Sequence, residues 1–186
     1  MPSDASLTVG AQILFNVAGS YAPATLNNLE LGTATDVAFD LTSVAAAAAE
    51  ASAQADLGAN RAPEYAVHAA IEMAVAPVTG TTFDFYWAPS VNTTAGAGNP
   101  GWVSGASEAY TGTPGTLAEG LAHFKMIGQM VMSADATGTI QMAYIGKFSP
   151  PTRYGCLVVV NNTAQATHDD VVEQAVSFTP IIPQAS

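Results

Sequence analysis

Residues 64–87 read EYAVHAAIEMAVAPVTGTTFDFYW, and this stretch decides the fold class of the chain. Between positions 65 and 75 apolar residues stand at every second position, and the same period returns at 83–87 after the turn-forming residues 77–80. A period of two is that of a β-strand with one buried face. The two segments therefore predict a pair of strands joined as a hairpin.

The same rhythm extends to both sides of this stretch. Glycine, proline, threonine, serine and asparagine recur at short intervals, which is typical of an all-β protein with many short strands. The continuous apolar run at 155–160 predicts a central strand that is buried on both faces. Further strands are predicted at 7–17, 29–42, 123–133 and 171–179. The whole pattern predicts one domain over 1–186, an antiparallel β-sandwich of the jelly-roll type.

A second hairpin is predicted in the later half of the chain. The segment 134–138 reads ADATG, a turn sequence, and alternating apolar residues stand on both sides of it. Before the turn, one strand face is predicted to carry Phe124, Met126, Gly128, Met130 and Met132; after it, the paired strand is predicted to carry Ile140, Met142 and Tyr144.

Two segments depart from the strand rhythm. Residues 44–56 are rich in alanine, which has the best intrinsic helix propensity, so a short helix is one interpretation. Tightly packed strands are the other, because the segment lacks large apolar residues to anchor a helix. Residues 89–116 form a long Gly- and Pro-rich loop carrying Trp102 and Tyr110. These aromatic residues are predicted either to anchor an interface or to pin the loop to its own sandwich.

Composition and charge exclude several classes of protein. Hydrophobic residues make up 49% and charged residues 10% of the chain, which excludes an intrinsically disordered protein. Four basic residues, spread along the chain, face fifteen acidic ones, so the net charge is −11. Nucleic acid and anionic membranes are therefore not expected as partners. The first residues show no signal-peptide pattern, and the segment 1–20 is expected to dock on a neighbouring subunit.

The motifs of common enzymes are absent from the sequence. It contains neither a nucleophile elbow nor a phosphate-binding loop, and neither His68 nor His123 has metal-ligand spacing. The run 168–170 (HDD), with Glu173 nearby, is predicted either to bind a cation or to be a solvated acidic turn, and the turn is the commoner meaning. Cys156 is expected to be a buried thiol. No two carboxylates are singled out by the sequence as a catalytic acid/base pair; the candidates are Asp36, Asp40, Glu72 and Asp84. No enzyme activity, metal or cofactor is predicted.

Several stretches resemble a recurrent family of tailed-bacteriophage virion proteins. Together they cover most of the chain from about residue 50 onward. They are 56–62 (DLGANRA), 85–90 (FYWAPS), Gly101 with 103–105 (VSG) and Tyr110, 145–155 (IGKFSPPTRYG), 157–162 (LVVVNN) and 179–181 (TPI).

The resemblance implies a structural role without catalysis. It implies a capsid decoration, or cement, protein that is made in the bacterial host cytoplasm and binds the outer surface of the assembled head. The expected partners are the major capsid protein and further copies of this chain, with a trimer favoured. The alternative is a carbohydrate-binding β-sandwich of a phage fibre, a vertex or a cell surface, in which Trp87, Trp102 and Tyr110 would stack on sugar rings.

Within the matched stretches, one corner of the fold is predicted from side-chain chemistry. Arg153 is expected to pin loop carbonyls or carboxylates. Pro150 and Pro151 are expected to hold an extended entry into the strand that follows. Asn161 and Asn162 are expected to close that strand by tolerating a left-handed turn. Tyr154 and Gly155 complete this predicted fold-defining corner.

Overall fold

The computed structural model describes residues 10–17 and 19–182, and the chain is mostly β in this part. One short α-helix, α1 (Leu117–Leu121), interrupts the strands. Much of the segment predicted to dock on a neighbour, residues 1–9, lies outside the described residues. The strands are β1 (Ile13–Asn16), β2 (Thr35–Ala38), β3 (Ala49–Ala51), β4 (Ala55–Asp56), β5 (Glu64–Glu72), β6 (Thr82–Ser90), β7 (Glu108–Ala109), β8 (Lys125–Val131), β9 (Ile140–Phe148), β10 (Tyr154–Asn161) and β11 (Ala175–Ile181).

The strands form two sheets that pack face to face. One sheet has five strands in the order β2-β1-β11-β5-β9, and the other has six, with β7-β3-β10-β6-β8 in order and β4 added to β10. Neighbouring strands run antiparallel, except that β1 and β2 are parallel. The predicted all-β sandwich is confirmed, whereas its jelly-roll subtype stays a prediction.

The core between the sheets contains the residues whose alternation decided the fold. Val67, Ala69 and Ile71 point inward from β5, and Phe85 and Trp87 point inward from β6. The two strands nevertheless lie in different sheets, so the predicted hairpin is wrong. Alternation specifies which face of a strand is buried, but it does not specify which strand pairs with it. The connection 73–81 is long enough to cross the ~10 Å between packed sheets.

The second predicted hairpin is wrong for the same reason, because β8 and β9 also lie in different sheets. Each strand also carries a bulge that reverses its alternation. Ile127 is the extra residue of β8, so Met130 and Met132 are buried while Met126 is exposed. Ile145 is the extra residue of β9. On β9, Ala143 and Ile145 contact the core, and beyond the bulge it is Phe148 that does so; Met142 and Tyr144 are exposed on the outer face.

The alanine-rich segment 44–56 forms strands β3 and β4 and no helix. Ala49 and Ala51 are buried against Cys156 and Val158 of β10. Small side chains let the backbone and the residues above it approach closely, and this packing overrides the helix propensity of alanine.

The run 155–160 is buried on both faces, as predicted. Leu157 and Val159 point into the core between the sheets, whereas Cys156, Val158 and Val160 point outward and are covered. The cover is the excursion 91–124, which joins β6 to β8 and folds over the outer face of the six-stranded sheet. We call it the cover segment. It begins later and ends later than the predicted loop 89–116, because Pro89 and Ser90 belong to β6 and because α1 belongs to the cover.

Candidate functional site

The predicted corner is built around an ion pair. Arg153 Nε lies 2.6 Å from Asp56 Oδ1, and Arg153 Nη2 lies 2.7 Å from Asp56 Oδ2. The guanidinium also stacks 4.9 Å above the ring of Tyr154. Asp56 Oδ1 accepts a further hydrogen bond from the Gly58 N–H at 2.8 Å. The prediction that Arg153 pins a carboxylate agrees with this geometry, which ties the start of β10 to the end of β4.

Gly155 is required at this corner for space rather than for its backbone conformation. A Cβ atom at this position would lie 2.4 Å from Trp87 Cε2 and 2.6 Å from the carbonyl oxygen of Ala88. Trp87 is fully buried. Pro150 and Pro151 lie in the connection from β9 to β10, just before this close approach. Any side chain at 155 would push β10 away from the core tryptophan.

Asn161 closes β10 with its side chain. The predicted left-handed turn is wrong, because neither Asn161 nor Asn162 has a positive φ. Asn161 Nδ2 donates to the carbonyl oxygens of Val44, Ala45 and Gln165 at 2.8–3.1 Å. Its Oδ1 accepts from both the N–H and the hydroxyl of Thr163. Asn161 is fully buried, and every polar atom of its side chain has a partner. Its role is to hold the loops on either side of the strand.

Tyr110 fastens the cover segment to the sandwich and is not an exposed anchor. It is only 6% exposed and packs on Phe124 with ring centroids 5.4 Å apart. Its hydroxyl donates to the Gly101 carbonyl at 2.6 Å. Helix α1 completes the cover and begins with a capping box, in which Thr116 and Glu119 satisfy each other's backbone N–H groups. The interpretation that the loop pins itself to its own sandwich fits Tyr110.

Trp102 is the aromatic residue that the cover presents to solvent. Its side chain is 47% exposed, and its backbone has a left-handed φ of 62°. A non-glycine residue in this region is strained, and surrounding contacts must hold it there. The ring of His123 packs edge-on at 6.0 Å. A small cavity of about 120 Å³ lies beside the indole; its polar lining includes Ser104, Glu108, Thr111 and Thr113.

The candidate residues for enzyme chemistry are engaged in structural contacts. His68 packs against the ring of Tyr144, with centroids 5.2 Å apart. Asp36 accepts a hydrogen bond from Asn16, and Asp84 accepts one from Gln129, each at 2.8 Å. Burial raises the pKa of the Cys156 thiol to about 12, so it is not a ready nucleophile at neutral pH.

One carboxylate of this group stands apart from the others. Glu72 is buried at the end of β5 and lies beside the acidic run that follows His168. The sequence offers no signal for this approach, because the two segments are far apart in the chain and only the fold brings them together.

Comparison with protein-family models, with curated proteins and with solved structures finds no match to this chain. None of the helices in the described ranges is long and apolar enough to cross a membrane.

Proposed function

We propose that this chain is a structural protein of a tailed-phage particle, a decoration protein that binds the outer surface of the assembled head. One observation carries the proposal: three stretches that resemble the phage family meet at one corner. Asp56 of the stretch 56–62 pairs with Arg153 of the stretch 145–155. Trp87 of the stretch 85–90 packs on Gly155, which also belongs to 145–155. Stretches that are distant in sequence thus build one structural unit, as a shared fold element requires.

The strand order supports the jelly-roll part of the proposal. The strands β1-β11-β5-β9 form one antiparallel row, and β3-β10-β6-β8 form the facing row. Most of the connections between these eight strands, taken in chain order, cross from one sheet to the other. An eight-stranded double sheet of this kind is the architecture of many capsid domains.

The distribution of charge favours a basic receiving surface and disfavours nucleic acid. Two of the four basic side chains are engaged within the chain, since Arg153 pairs with Asp56 and Lys125 donates to the Ser149 carbonyl at 2.7 Å. With a net charge of −11, the chain presents a negative surface. We infer that it docks on basic residues of the major capsid protein, so its binding should weaken as salt increases.

A decoration protein acts by binding the assembled shell but not free coat subunits, so that mass action stabilises the shell. A trimer that straddles a local threefold axis fits such a lattice and multiplies modest contacts. Light scattering on the purified chain measures the oligomeric state. A mass of three chains supports the trimer, and a mass of one chain contradicts it.

The deciding experiment is quantitative mass spectrometry of purified phage particles, with the copy number normalised to the major coat protein. Hundreds of copies per particle support a decoration protein. A dozen copies or fewer move the chain to a vertex, neck or fibre. Complete absence from particles overturns the virion proposal.

A carbohydrate-binding module is the second candidate, and the surface at Trp102 favours it. The half-exposed indole beside hydroxyl groups and Glu108 provides a stacking platform with hydrogen-bonding partners. Trp87 and Tyr110 do not contribute, because both are buried. A glycan array tests this function: a hit that is lost in Trp102→Ala but kept in Tyr144→Ala supports it. Tyr144 is a suitable control because it is an exposed aromatic residue on the other sheet.

A further inference from the structure

The acidic run after His168 folds against the end of β5. The connection 162–174 leaves β10, crosses to the five-stranded sheet and pairs briefly with the chain beyond β5. Met73 and Thr167 form an antiparallel bridge, and the His168 N–H donates to the Glu72 carbonyl at 2.9 Å. These backbone contacts place the acidic side chains of the connection beside the side chain of Glu72.

The carboxylate of Glu72 lacks the partner that its burial requires. Its side chain is only 5% exposed, and Oε2 has no hydrogen-bond partner among the described residues. A buried carboxylate oxygen without a donor is costly unless a positive charge or a proton neutralises it. This observation is independent of the acidic run, since it concerns a strand residue that points into the cluster.

His168 lies beside Glu72 but does not supply the missing hydrogen bond. Its Nδ1 lies 3.5 Å from Glu72 Oε2 and 3.2 Å from Asp169 Oδ1. The same nitrogen accepts a hydrogen bond from the Asp170 N–H at 3.1 Å. A ring nitrogen that accepts carries no proton of its own, so it has none to donate to Glu72.

Three carboxylates converge at this point. One oxygen each of Glu72, Asp170 and Glu173 lie within 4.8 Å of one another. A calcium ion bonds oxygen at about 2.4 Å, so two of its ligands stand at most about 4.8 Å apart. Burial raises the pKa of Glu72, and the charges of Glu173, Asp170 and Asp169 raise it further against the opposing effect of His168. A cation at the centre would remove this mutual repulsion.

We propose that Glu72, Asp170 and Glu173 form a calcium-binding site that ties the end of β5 to the connection between β10 and β11. The donors are all carboxylate oxygens, which suit a hard cation. Magnesium is the weaker candidate because it requires near-ideal octahedral geometry, keeps several waters and has shorter bonds of about 2.0–2.1 Å. The modest number of protein ligands predicts a dissociation constant of about 10⁻⁴–10⁻³ M, similar to that of extracellular calcium modules.

Isothermal titration calorimetry of the full chain with calcium chloride, after removal of metal by EDTA, tests the site. We expect one calcium per chain, at least tenfold weaker binding of magnesium, and a Tm that rises by about 5 °C at saturating calcium. The variant Glu72→Gln keeps the size of the side chain and removes its charge. It should bind calcium at least tenfold more weakly and lose the rise in Tm. Glu173→Gln provides a second variant if Glu72→Gln does not fold.

The matched control is Glu64→Gln, which removes the same charge from the opposite end of β5 and should bind calcium as the natural chain does. The proposal is overturned if no calcium binds at 10 mM, or if Glu72→Gln and Glu173→Gln bind as tightly as the control. Equal affinity for magnesium overturns the assignment to calcium. These outcomes are independent of the virion proposal, because they are measured on the isolated chain.

Discussion

Arg153 and Asp56 join two distant parts of the chain through a forked contact, in which Nε and Nη2 of the guanidinium each meet a different carboxylate oxygen. The pair lies at the surface, with side chains 38% and 46% exposed. The pair therefore contributes little to the free energy of unfolding, and its main effect is to position the backbone. It fixes the direction in which β10 enters the sheet, next to the close approach of Gly155 to Trp87.

The forked contact predicts a small, acid-sensitive contribution to stability. The side-chain hydrogen bonds from Arg153 lower the pKa of Asp56 below its ordinary value of 3.8. A lowered folded-state pKa means that the contribution is present above the ordinary pKa and is lost as pH falls through the lowered one. We expect Asp56→Asn to lower Tm by about 2 °C or less at pH 7, and this difference to shrink as pH falls below the ordinary pKa of 3.8.

Thermal unfolding of Arg153→Lys provides the matching variant. Lysine keeps the charge but cannot form the fork, so it should lose most of what Asp56→Asn loses. In the double variant the two effects should not add, since both remove the same contact. Fully additive effects would show that the pair is not coupled.

Gly155→Ala is expected to be strongly destabilising. The added Cβ would overlap Trp87 and the Ala88 backbone, so β10 would have to shift in the middle of the six-stranded sheet. We expect the free energy of unfolding, measured with urea, to fall by about 3 kcal/mol. Gly10→Ala is the control, because a Cβ there meets only the Leu57 carbonyl oxygen at 3.8 Å. A loss below about 1 kcal/mol for Gly155→Ala would mean that this corner adapts without cost.

Much of the fold could be predicted from the sequence, because burial leaves a periodic signal. The alternation between 65 and 75 predicted the buried face correctly as far as Met73, although Val75 is exposed. The alternation at 83–87 and the run 155–160 predicted a buried strand face and the central strand correctly. Strand pairing could not be predicted, since alternation is the same whether the partner lies in the same sheet or in the opposite one. The bulges at Ile127 and Ile145 were also hidden, because one extra residue reverses a face without changing the composition.

The candidate sites divide in the same way. The role of Arg153 could be predicted because a guanidinium at a strand entry needs a planar acceptor, although the acceptor, Asp56, could not be chosen among fifteen acidic residues. The sequence left open whether Tyr110 anchors an interface or pins its own loop, because a glycine-rich sequence does not show that the loop folds back over a sheet. Glu72 stands in a strand pattern like any outward residue, and only the fold brings Asp170 to it.

The raised pKa of Glu50 predicts that the protein loses stability as pH rises from acidic to neutral values. Its cross-strand partners are Val159 and Ala109, so it shares a sheet face with a core valine. Burial, together with the charges of Asp40 and Glu108, raises its pKa from 4.5 to about 7. Between these values the folded state binds more protons than the unfolded state, so the free energy of unfolding falls as pH rises through this window.

Replacing Glu50 by glutamine should remove this contribution. We expect Glu50→Gln to be more stable than the natural chain by about 1–2 kcal/mol at pH 8, a figure reduced for the partial exposure of the side chain. At pH 4 the two should be nearly equal. Urea unfolding at several pH values measures the difference, with the exposed Glu30→Gln as control. A constant difference between pH 4 and pH 8 would contradict the raised pKa.

The cover segment should open locally, and Cys156 reports the opening. Its thiol lies beneath the cover on the outer face of β10, where burial raises its pKa to about 12. A thiol reagent such as DTNB should therefore label the native protein slowly and the urea-unfolded protein at once. Tyr110→Phe removes the hydroxyl that donates to Gly101 and leaves that carbonyl without its donor, so opening becomes easier.

We expect Tyr110→Phe to raise the labelling rate of Cys156 about 5- to 30-fold, which corresponds to the loss of one buried hydrogen bond of about 1–2 kcal/mol. Tyr144→Phe removes a hydroxyl from an exposed tyrosine on the other sheet and should leave the rate unchanged. Equal labelling of the natural chain and Tyr110→Phe would show that the cover is held by its apolar contacts alone. The Tyr110 hydroxyl bonds to Gly101, the residue before Trp102. In that case other contacts would have to hold the left-handed backbone of Trp102.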